Sequence, residues 1–381
     1  MASRTSFNPF IHTVSALALG ALAFSSVASA QGISGAGSSA AAPIYKAWGE
    51  MYSQATGHTV SYDPVGSGEG TKRIKARAVD FGASDVAMSP AEAKQHGLII
   101  VPTVVTAAVP VLNVPGLATG QLKLTGEVLA KIFMAQITLW NAAEIRALNP
   151  SAKLPNLPIQ VVVRADGSGT TYHFTDYLSK VSSDWQTQRG VKNKFDWPAT
   201  FLAVKGSSEV AKTVAATNGA IGYVDFNYVR EYKLNYAQVK NAAGNFVSPS
   251  LENFREAVAN SDWLSKGNFI SSLTNLKGLK SWPITMGTFI AIPQTVAQGA
   301  KGLEVLRFIT WGYLHGDQLA KTALFVPLPD LVQARAYGEL GKLTDHQGKL
   351  IGLYALANPE TRLIKTTQAD STNAAGQFKT N

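Results

Sequence analysis

The chain has 381 residues, of which 46% are hydrophobic and none is cysteine, and its formal net charge is +9 at pH 7. This length allows two domains of ordinary size, and the lack of cysteine excludes disulfides and thiolate metal sites. The basic residues are scattered along the chain, which argues against a nucleic-acid interface and indicates a general attraction for anions.

The first thirty residues have the features of an export signal. Arg4 is their only charged residue, an apolar run covers residues 14–24, and Ala28-Ser29-Ala30 has the small-x-small pattern of a signal-peptidase site. A membrane anchor is the alternative, but the apolar run is too short to span a bilayer. Since no cysteine follows, a lipid anchor on cysteine is excluded. We therefore expect residues 1–30 to be a signal peptide and the rest to be a soluble, exported protein.

Three short loops rich in glycine and serine each precede a predicted helix. The start of a helix leaves backbone N–H groups without partners and carries about half a positive charge. Three such starts in one chain predict that they surround one small anion. The loops are Gly35-Ala36-Gly37-Ser38-Ser39, Gly66-Ser67-Gly68-Glu69-Gly70 and Asp166-Gly167-Ser168-Gly169-Thr170.

Predicted strands and helices alternate between these loops. Capping boxes at Ser89 and Asn141 predict two further helices, and the tail from about residue 366 is predicted to be flexible. The alternation favours an α/β fold with mainly parallel sheets and helices on both faces, in which ligands bind where strands end and helices begin. Strand patterns cover residues 58–62, 80–85, 98–114, 159–163, 219–224 and 282–292, and the second of these ends in a turn.

The loops offer hydrogen-bond donors for a tetrahedral anion. Their hydroxyl groups belong to Ser39, Ser67, Ser168 and Thr170. Arg164, just before the third loop, offers a charged fork that suits an oxyanion. An ion pair with Asp166 is the alternative role of Arg164. The two roles are compatible, because a carboxylate at that distance can orient the guanidinium.

Asp85 is the last residue of the segment 80–85, which is predicted to be a strand that ends in a turn. A carboxylate repels an anion unless the anion carries a proton that the carboxylate can accept. Monohydrogen phosphate carries such a proton and sulfate does not, so Asp85 could select between them. The alternative is that Asp85 only caps a turn, and composition alone favours that alternative.

Five segments of the chain resemble, in this order, the periplasmic phosphate-binding proteins of phosphate-specific ABC transporters (PstS type). The resemblance runs from about Ile33 to Leu331. The segments are Gly35-Ala36-Gly37, Asp80-Phe81-Gly82-Ala83-Ser84-Asp85, Arg164-Ala165-Asp166-Gly167-Ser168-Gly169-Thr170, Gly219-Ala220-Ile221-Gly222-Tyr223-Val224 and Trp282-Pro283-Ile284-Thr285.

The resemblance implies a two-lobed "Venus flytrap" that buries inorganic phosphate in its cleft and delivers it to the permease of an ABC transporter in the membrane. It implies a discontinuous lobe I, residues 31–105 and 285–381, with lobe II, residues 106–284, inserted between. Asp166 would support the site. The implied phosphate contacts are Ser39, the Ala40 backbone N–H, Ser67, Asp85, Arg164, Ser168, Gly169 and Thr170.

The chain departs from the family pattern at two of the loops. The family usually has Thr-Phe where this chain has Ser39-Ala40, so an aromatic cover is lost. It usually has Gly-Ser-Ser-Gly-Gly at the second loop, where this chain lacks one hydroxyl and adds Glu69. Glu69 either turns toward the anion or points to water and complements the helix dipole. The segment after about Gly338 has no counterpart in the family.

A secreted phosphatase or phosphotransferase that uses the same oxyanion site is the alternative function. It would need a nucleophile with a base, or metals, and the sequence has no Gly-x-Ser-x-Gly motif and no HxH or HxxxH spacing. His173 could approach the cleft, but a packing or surface role is favoured. The sequence therefore predicts a periplasmic binding protein, not an enzyme, with no cofactor, no metal and no nucleic-acid partner. A monomer is expected.

Overall fold

The structure, a computed structural model, describes Met1 and residues 32–296 and 301–357. The alternation of strands and helices that the sequence predicts is present there. Apart from Met1, the predicted signal peptide lies outside the described residues, and so does the tail from about residue 366. In the described part of the chain, no helix combines the length and the apolar character needed to cross a bilayer.

The strands in the described residues, in chain order, are β1 (Ile33–Gly37), β2 (Val60–Asp63), β3 (Phe81–Ser84), β4 (Leu98–Asn113), β5 (Lys123–Leu124), β6 (Gln160–Arg164), β7 (Leu202–Val204), β8 (Ala220–Asp225), β9 (Asn235–Tyr236), β10 (Gln238–Lys240), β11 (Phe246–Val247), β12 (Thr285–Pro293), β13 (Thr295–Val296), β14 (Val326–Pro327) and β15 (Thr344–Asp345).

The helices, also in chain order, are α1 (Ala42–Thr56), α2 (Ser67–Lys75), α3 (Pro90–Gln95), α4 (Gly126–Phe133), α5 (Ala143–Leu148), α6 (Gly169–Val181), α7 (Ser183–Gln188), α8 (Ser207–Ala216), α9 (Phe226–Glu231), α10 (Leu251–Ala259), α11 (Asp262–Ser265), α12 (Lys301–His315), α13 (Asp317–Thr322), α14 (Asp330–Leu340) and α15 (Gly352–Ala357).

One large sheet has the strand order β2-β1-β3-β12-β4-β8-β6-β7, and β9 and β14 also pair with β4. Its two ends are parallel, as predicted: β1 pairs with β2 and β3, and β6 pairs with β7 and β8. The middle is antiparallel, where β12 pairs with β3 and β4, and β4 pairs with β8. The chain passes from one end to the other along β4 and returns along β12, so these two strands must run in opposite directions.

The strand β4 is buried along nearly its whole length, which explains its unbroken run of apolar residues. Its first part, to Ala107, pairs with β12, and its second part, from Ala108, pairs with β8. Trp48, Trp140 and Trp282 are buried in one apolar cluster that includes Val104 from the first part of β4 and Val111 from the second. The apolar core is therefore continuous across the sheet.

The three Gly/Ser loops lie where strands end and helices begin, as predicted. The first begins inside β1, whose last three residues are Gly35, Ala36 and Gly37, and leads toward α1, while α2 and α6 begin inside the second and third loops. Ser89 caps α3 by accepting a hydrogen bond from the Glu92 backbone, also as predicted. The capping box at Asn141 is wrong: α5 has Ala142 as its N-cap, without a side-chain hydrogen bond.

Gly70 holds α2 against the ends of β1 and β3. A Cβ atom there would lie 2.3 Å from the Gly37 Cα, 2.7 Å from the Ala36 carbonyl oxygen and 2.8 Å from that of Ala83. All three are backbone atoms, so they cannot rotate away. We expect G70A to lower the thermal unfolding midpoint, although alanine favours a helix by about 1 kcal/mol over glycine.

G338A is the matched control, because within the described residues nothing lies within 4 Å of a Cβ at that helical position. It should keep or raise the midpoint. Circular dichroism melts of both variants check the prediction, and a G70A protein as stable as G338A would contradict it.

Candidate functional site

The carboxylate of Asp85 lies at the end of β3 and is 2% exposed. Ser38 donates to both of its oxygens, at 2.7 and 2.8 Å, Thr288 donates to Oδ1 at 2.8 Å, and Ser67 donates to Oδ2 at 3.2 Å. A carboxylate can accept about four hydrogen bonds. Ser38 has a single hydroxyl hydrogen for its two contacts, so three hydrogens reach the carboxylate and one more hydrogen bond can be accepted.

Burial raises the pKa of Asp85 above its ordinary value, and the hydroxyls of Ser38 and Thr288 act in the opposite direction. A positive charge on His173, present only when its ring is protonated, would act in the same direction as the hydroxyls. Because hydroxyls are neutral, they solvate the charge without cancelling it. Asp85 thus stays a hydrogen-bond acceptor with a full charge when it is ionised.

Arg164 ends β6 and is as buried as Asp85. Its Nε and Nη2 donate to the two oxygens of Asp166, at 2.7 and 2.5 Å, and its Nη1 donates to Ser207 at 3.1 Å. The ion pair considered from the sequence is therefore present. A guanidinium has five N–H groups, so two remain for an anion.

Arg164 and Asp166 both keep their charges although they are buried. Burial opposes the charge of Arg164, but the hydrogen bonds and the charge of Asp166 outweigh it and raise the pKa of Arg164. Burial likewise acts against the charge of Asp166, whose pKa is nevertheless lowered by Arg164 and by the Gly206 N–H. Both groups are ionised at neutral pH.

The second and third loops touch each other directly. The Gly68 N–H donates to the Gly167 carbonyl oxygen at 2.9 Å. A Cβ at Gly169 would lie 2.5 Å from the Asp85 Cβ and 2.8 Å from the Ser67 hydroxyl oxygen, so the start of α6 can approach Asp85 only as glycine.

The first loop is joined to α8 and α9. The Ser39 hydroxyl lies 3.1 Å from that of Ser207 and accepts from the Ser207 N–H at 3.3 Å, and Tyr228 donates to the Ser39 carbonyl at 2.9 Å. Ala40 is buried beside them. The structure thus brings all the residues predicted for the anion into one buried cluster, but their role as ligands stays a prediction.

Two further predicted donors, Ser168 and Thr170, also have partners. Ser168 is the N-cap of α6, and its oxygen accepts from the Thr171 N–H at 3.1 Å, which leaves the hydroxyl hydrogen for another acceptor. Thr170 donates its hydroxyl to Asp225 at 3.0 Å. Its backbone N–H, in the first turn of α6, is the group that helix starts offer to anions.

Sequence comparisons relate the chain to phosphate-binding proteins. A profile of the PBP superfamily domain matches residues 24–279. The phosphate-binding protein PstS of Haemophilus influenzae is 42% identical over 82% of this chain and 92% of its own length, and that of Pasteurella multocida is 42% identical over 81% and 90%. This chain belongs to the PstS family of phosphate-binding proteins.

Solved structures share its fold. A phosphate-binding protein from Stenotrophomonas maltophilia has a TM-score of 0.62 at 22% identity and covers 87% of this chain and 98% of its own. A high-affinity periplasmic phosphate-binding protein solved with phosphate has a TM-score of 0.64, also at 22% identity, over 86% and 98%. The fold class predicted from the sequence, an α/β two-lobed binding protein, is confirmed.

The PstS-family chain carries site residues that sequence reasoning missed. Ser207 donates to Asp225 at 2.7 Å as well as accepting from Arg164. Gly206-Ser207-Ser208 is a fourth Gly/Ser helix start, and Asp225 is the last residue of β8, so both could have been found by the rule used for the three loops. Ser38 was part of the first loop. Thr288 lies within β12, and no motif in the sequence pointed to it as a site residue.

Glu69, the residue at which the second loop departs from the family pattern, pairs with basic side chains on its own helix. Arg73 donates to it at 3.2 Å, the Lys72 ammonium lies at 3.7 Å, and the Glu69 side chain is 39% exposed. It therefore takes the second of the two roles considered from the sequence, that of a surface acid in the first turn of α2.

Asp225 is a second buried carboxylate in the site. Burial, and then the negative charge of Asp85, raise its pKa to about 7, while Ser207, Arg164 and Thr170 act against this rise. In an unfolded chain an aspartate has a pKa of about 3.9. Between these values the folded protein keeps a proton that the unfolded chain has lost. The free energy of unfolding therefore falls as the pH rises through this window.

We predict that D225N stabilises the protein relative to wild type more at about pH 8 than at about pH 5, because only at the higher pH does it remove a buried charge. Thermal unfolding of both proteins in phosphate-free buffer at the two pH values measures this. The control D184N changes an exposed aspartate and should show the same difference from wild type at both. A D225N difference that does not change with pH would contradict the prediction.

Proposed function

We propose that this protein captures inorganic phosphate in a cleft between two lobes and delivers it to the membrane permease of an ABC transporter. The observation that carries the proposal is the buried cluster in which Arg164 keeps two N–H groups and Asp85 keeps room for one proton. A phosphate that bears a proton matches both features. Relatives named PstS support the same ligand.

The balance of charge in the site supports a protonated ligand. Arg164 is paired with Asp166, and Asp85 and Asp225 add negative charge nearby. The starts of α2, α6 and α8 supply partial positive charge and N–H donors without a further cation. An anion without a proton would face Asp85 with no hydrogen between the two oxygens, so sulfate should be rejected.

The division into lobes supports a closing cleft. We propose that lobe I comprises residues 31–105 and 285–381 and lobe II residues 106–284. The change of partner of β4 between Ala107 and Ala108, and the start of β12 at Thr285, lie at these boundaries. Ser39, Ser67 and Asp85 then face Arg164 and α6 across the cleft. Closure of the lobes on the ligand would give the loaded protein a conformation that the permease can recognise.

The protein is proposed to bind phosphate without transforming it, and to do so as a monomer in the periplasm after removal of residues 1–30. The hydroxyls nearest to the site are held by carboxylates that they solvate, as Ser38 is by Asp85 and Thr170 by Asp225. Such bonds organise an anion site. A phosphatase would need one of these hydroxyls to be activated by a base and aimed at phosphorus.

Isothermal titration of phosphate-stripped mature protein tests the proposal. Phosphate should bind with a dissociation constant of about 1 μM or less, equivalent to about −8 kcal/mol, and sulfate should bind at least ~1,000-fold more weakly. Equal affinities for the two anions, or no heat with phosphate, would contradict the proposal. Steady release of phosphate from an aryl phosphate would favour the phosphatase.

D85N tests the proton-acceptor role directly. An asparagine can donate to an unprotonated oxygen, so the preference for phosphate over sulfate should fall at least ~10-fold, the effect of about 1.4 kcal/mol from one buried unsatisfied group. Competitive titration with both anions measures the preference. D80N, at the other end of β3, removes a charge outside the site and should leave the preference unchanged. An unchanged preference in a folded D85N protein would exclude the role.

A further inference from the structure

His173 makes a second contact with Asp85, on the main chain. It lies one turn into α6, and its Nε2 is 2.6 Å from the Asp85 carbonyl oxygen. The same turn of α6 brings Gly169 against the Asp85 side chain. In the proposed division, α6 belongs to lobe II and Asp85 to lobe I. The hydrogen bond therefore joins the two lobes beside the anion site and has to break when they separate.

This contact fixes the protonation state of the ring. A carbonyl oxygen only accepts, so Nε2 must carry the proton. Nδ1 is then unprotonated, and it has no hydrogen-bond partner among the residues that the structure describes. The residue is 7% exposed. A second proton would thus place a buried positive charge on a nitrogen with no acceptor.

The charged groups around the ring leave the neutral form favoured. Burial is the main effect that lowers the pKa of His173, and the positive charge of Lys180 acts in the same direction. The Asp85 carbonyl and the negative charges of Asp176 and Asp85 act against it. Asp176 is itself paired with Lys180, at 2.9 Å. The uncharged ring of Tyr172 also lies beside it, edge-on with its centroid 5.3 Å away.

We propose that His173 is a positioning residue that latches the closed cleft through the main chain of Asp85, and that a second proton on its buried ring disfavours closure and weakens phosphate binding in acid. This inference rests on the proposed function. It gives His173 a role in the closing of the site. The sequence analysis had favoured a packing or surface role for this residue.

The sign of the effect follows from the two states of the cleft. In an open cleft the ring meets water and has an ordinary pKa of about 6.5. Closure requires the neutral ring, so below about pH 6.5 a proton must leave before the lobes can close. The affinity for phosphate should then fall by up to ~10-fold for each pH unit, until the pKa of the closed form is reached.

H173Q tests the latch, because its amide N–H can replace the Nε2 donor and cannot gain a proton. Phosphate titrations of wild type and H173Q at about pH 7.5 and about pH 5.5 give four dissociation constants. The ratio of the wild-type constant to that of H173Q should rise ~10-fold between the two pH values. Phosphate and Asp225 also change their charges between these pH values. Both changes occur in both proteins, so their effects cancel in the ratio.

The controls separate the latch from other effects. H346Q changes an exposed histidine and should keep a constant ratio to wild type. H173L, which has no donor, should bind phosphate more weakly than H173Q at about pH 7.5. If thermal unfolding shows that H173Q does not fold, H173N supplies the same comparison, since it too cannot be protonated.

Two outcomes overturn the inference, and they differ in what else they affect. Tight phosphate binding by wild type with a ratio that is the same at both pH values contradicts the latch and leaves the proposed function intact. Wild-type protein that does not bind phosphate at about pH 7.5 contradicts both.

Discussion

The burial of a negative charge at Asp85 is the constraint on which the rest of the site depends. A buried charge is tolerated only when hydrogen-bonding groups surround it. Here the groups are hydroxyls from the end of β1, the start of α2 and the middle of β12, namely those of Ser38, Ser67 and Thr288. These three elements must be in register before the charge can be satisfied. The antiparallel return of the chain along β12 is thus part of the site as well as of the sheet.

The choice of hydroxyls over a cation explains how the site could discriminate between anions. A lysine or arginine beside Asp85 would neutralise it and remove its need for a proton from the ligand. The buried cation of the site, Arg164, is instead held by Asp166, with its remaining N–H groups available. Under the proposed function, Arg164 would attract the anion and Asp85 would select it. Asp225, with a pKa of about 7, adds a group that can gain a proton when a further negative charge enters.

Much of this arrangement could be predicted from the sequence, because it follows from local rules. Glycine and serine at strand ends identified the three helix starts, and unbroken apolar runs identified β4 and β12. Ser207 and Asp225 obey the same rules and were missed only because the strand was ended one residue early and the fourth loop was not counted. Thr288 could not be found this way. Its role depends on the pairing of β12 with β3, which is a property of the whole sheet and not of the residues next to it.

Under the proposed function, the two carboxylates and the latch at His173 would share one physical basis, which is that closing the cleft removes water from titratable groups. Their protonation and the entry of the anion are then linked events. The resemblance to the PstS family named the loops and Asp85, but it carried no information on His173 or Asp225. The contact of His173 with the Asp85 carbonyl, and those of Asp225 with Ser207 and Thr170, are given by the folded structure.

A crystal structure of the wild-type protein with phosphate is the most direct test of the central claim. The account predicts one phosphate in contact with both Asp85 and the free N–H groups of Arg164, with oxygen–oxygen and nitrogen–oxygen distances of about 2.5–3.0 Å. A phosphate bound elsewhere, or one from which the Asp85 carboxylate has turned away, would contradict it.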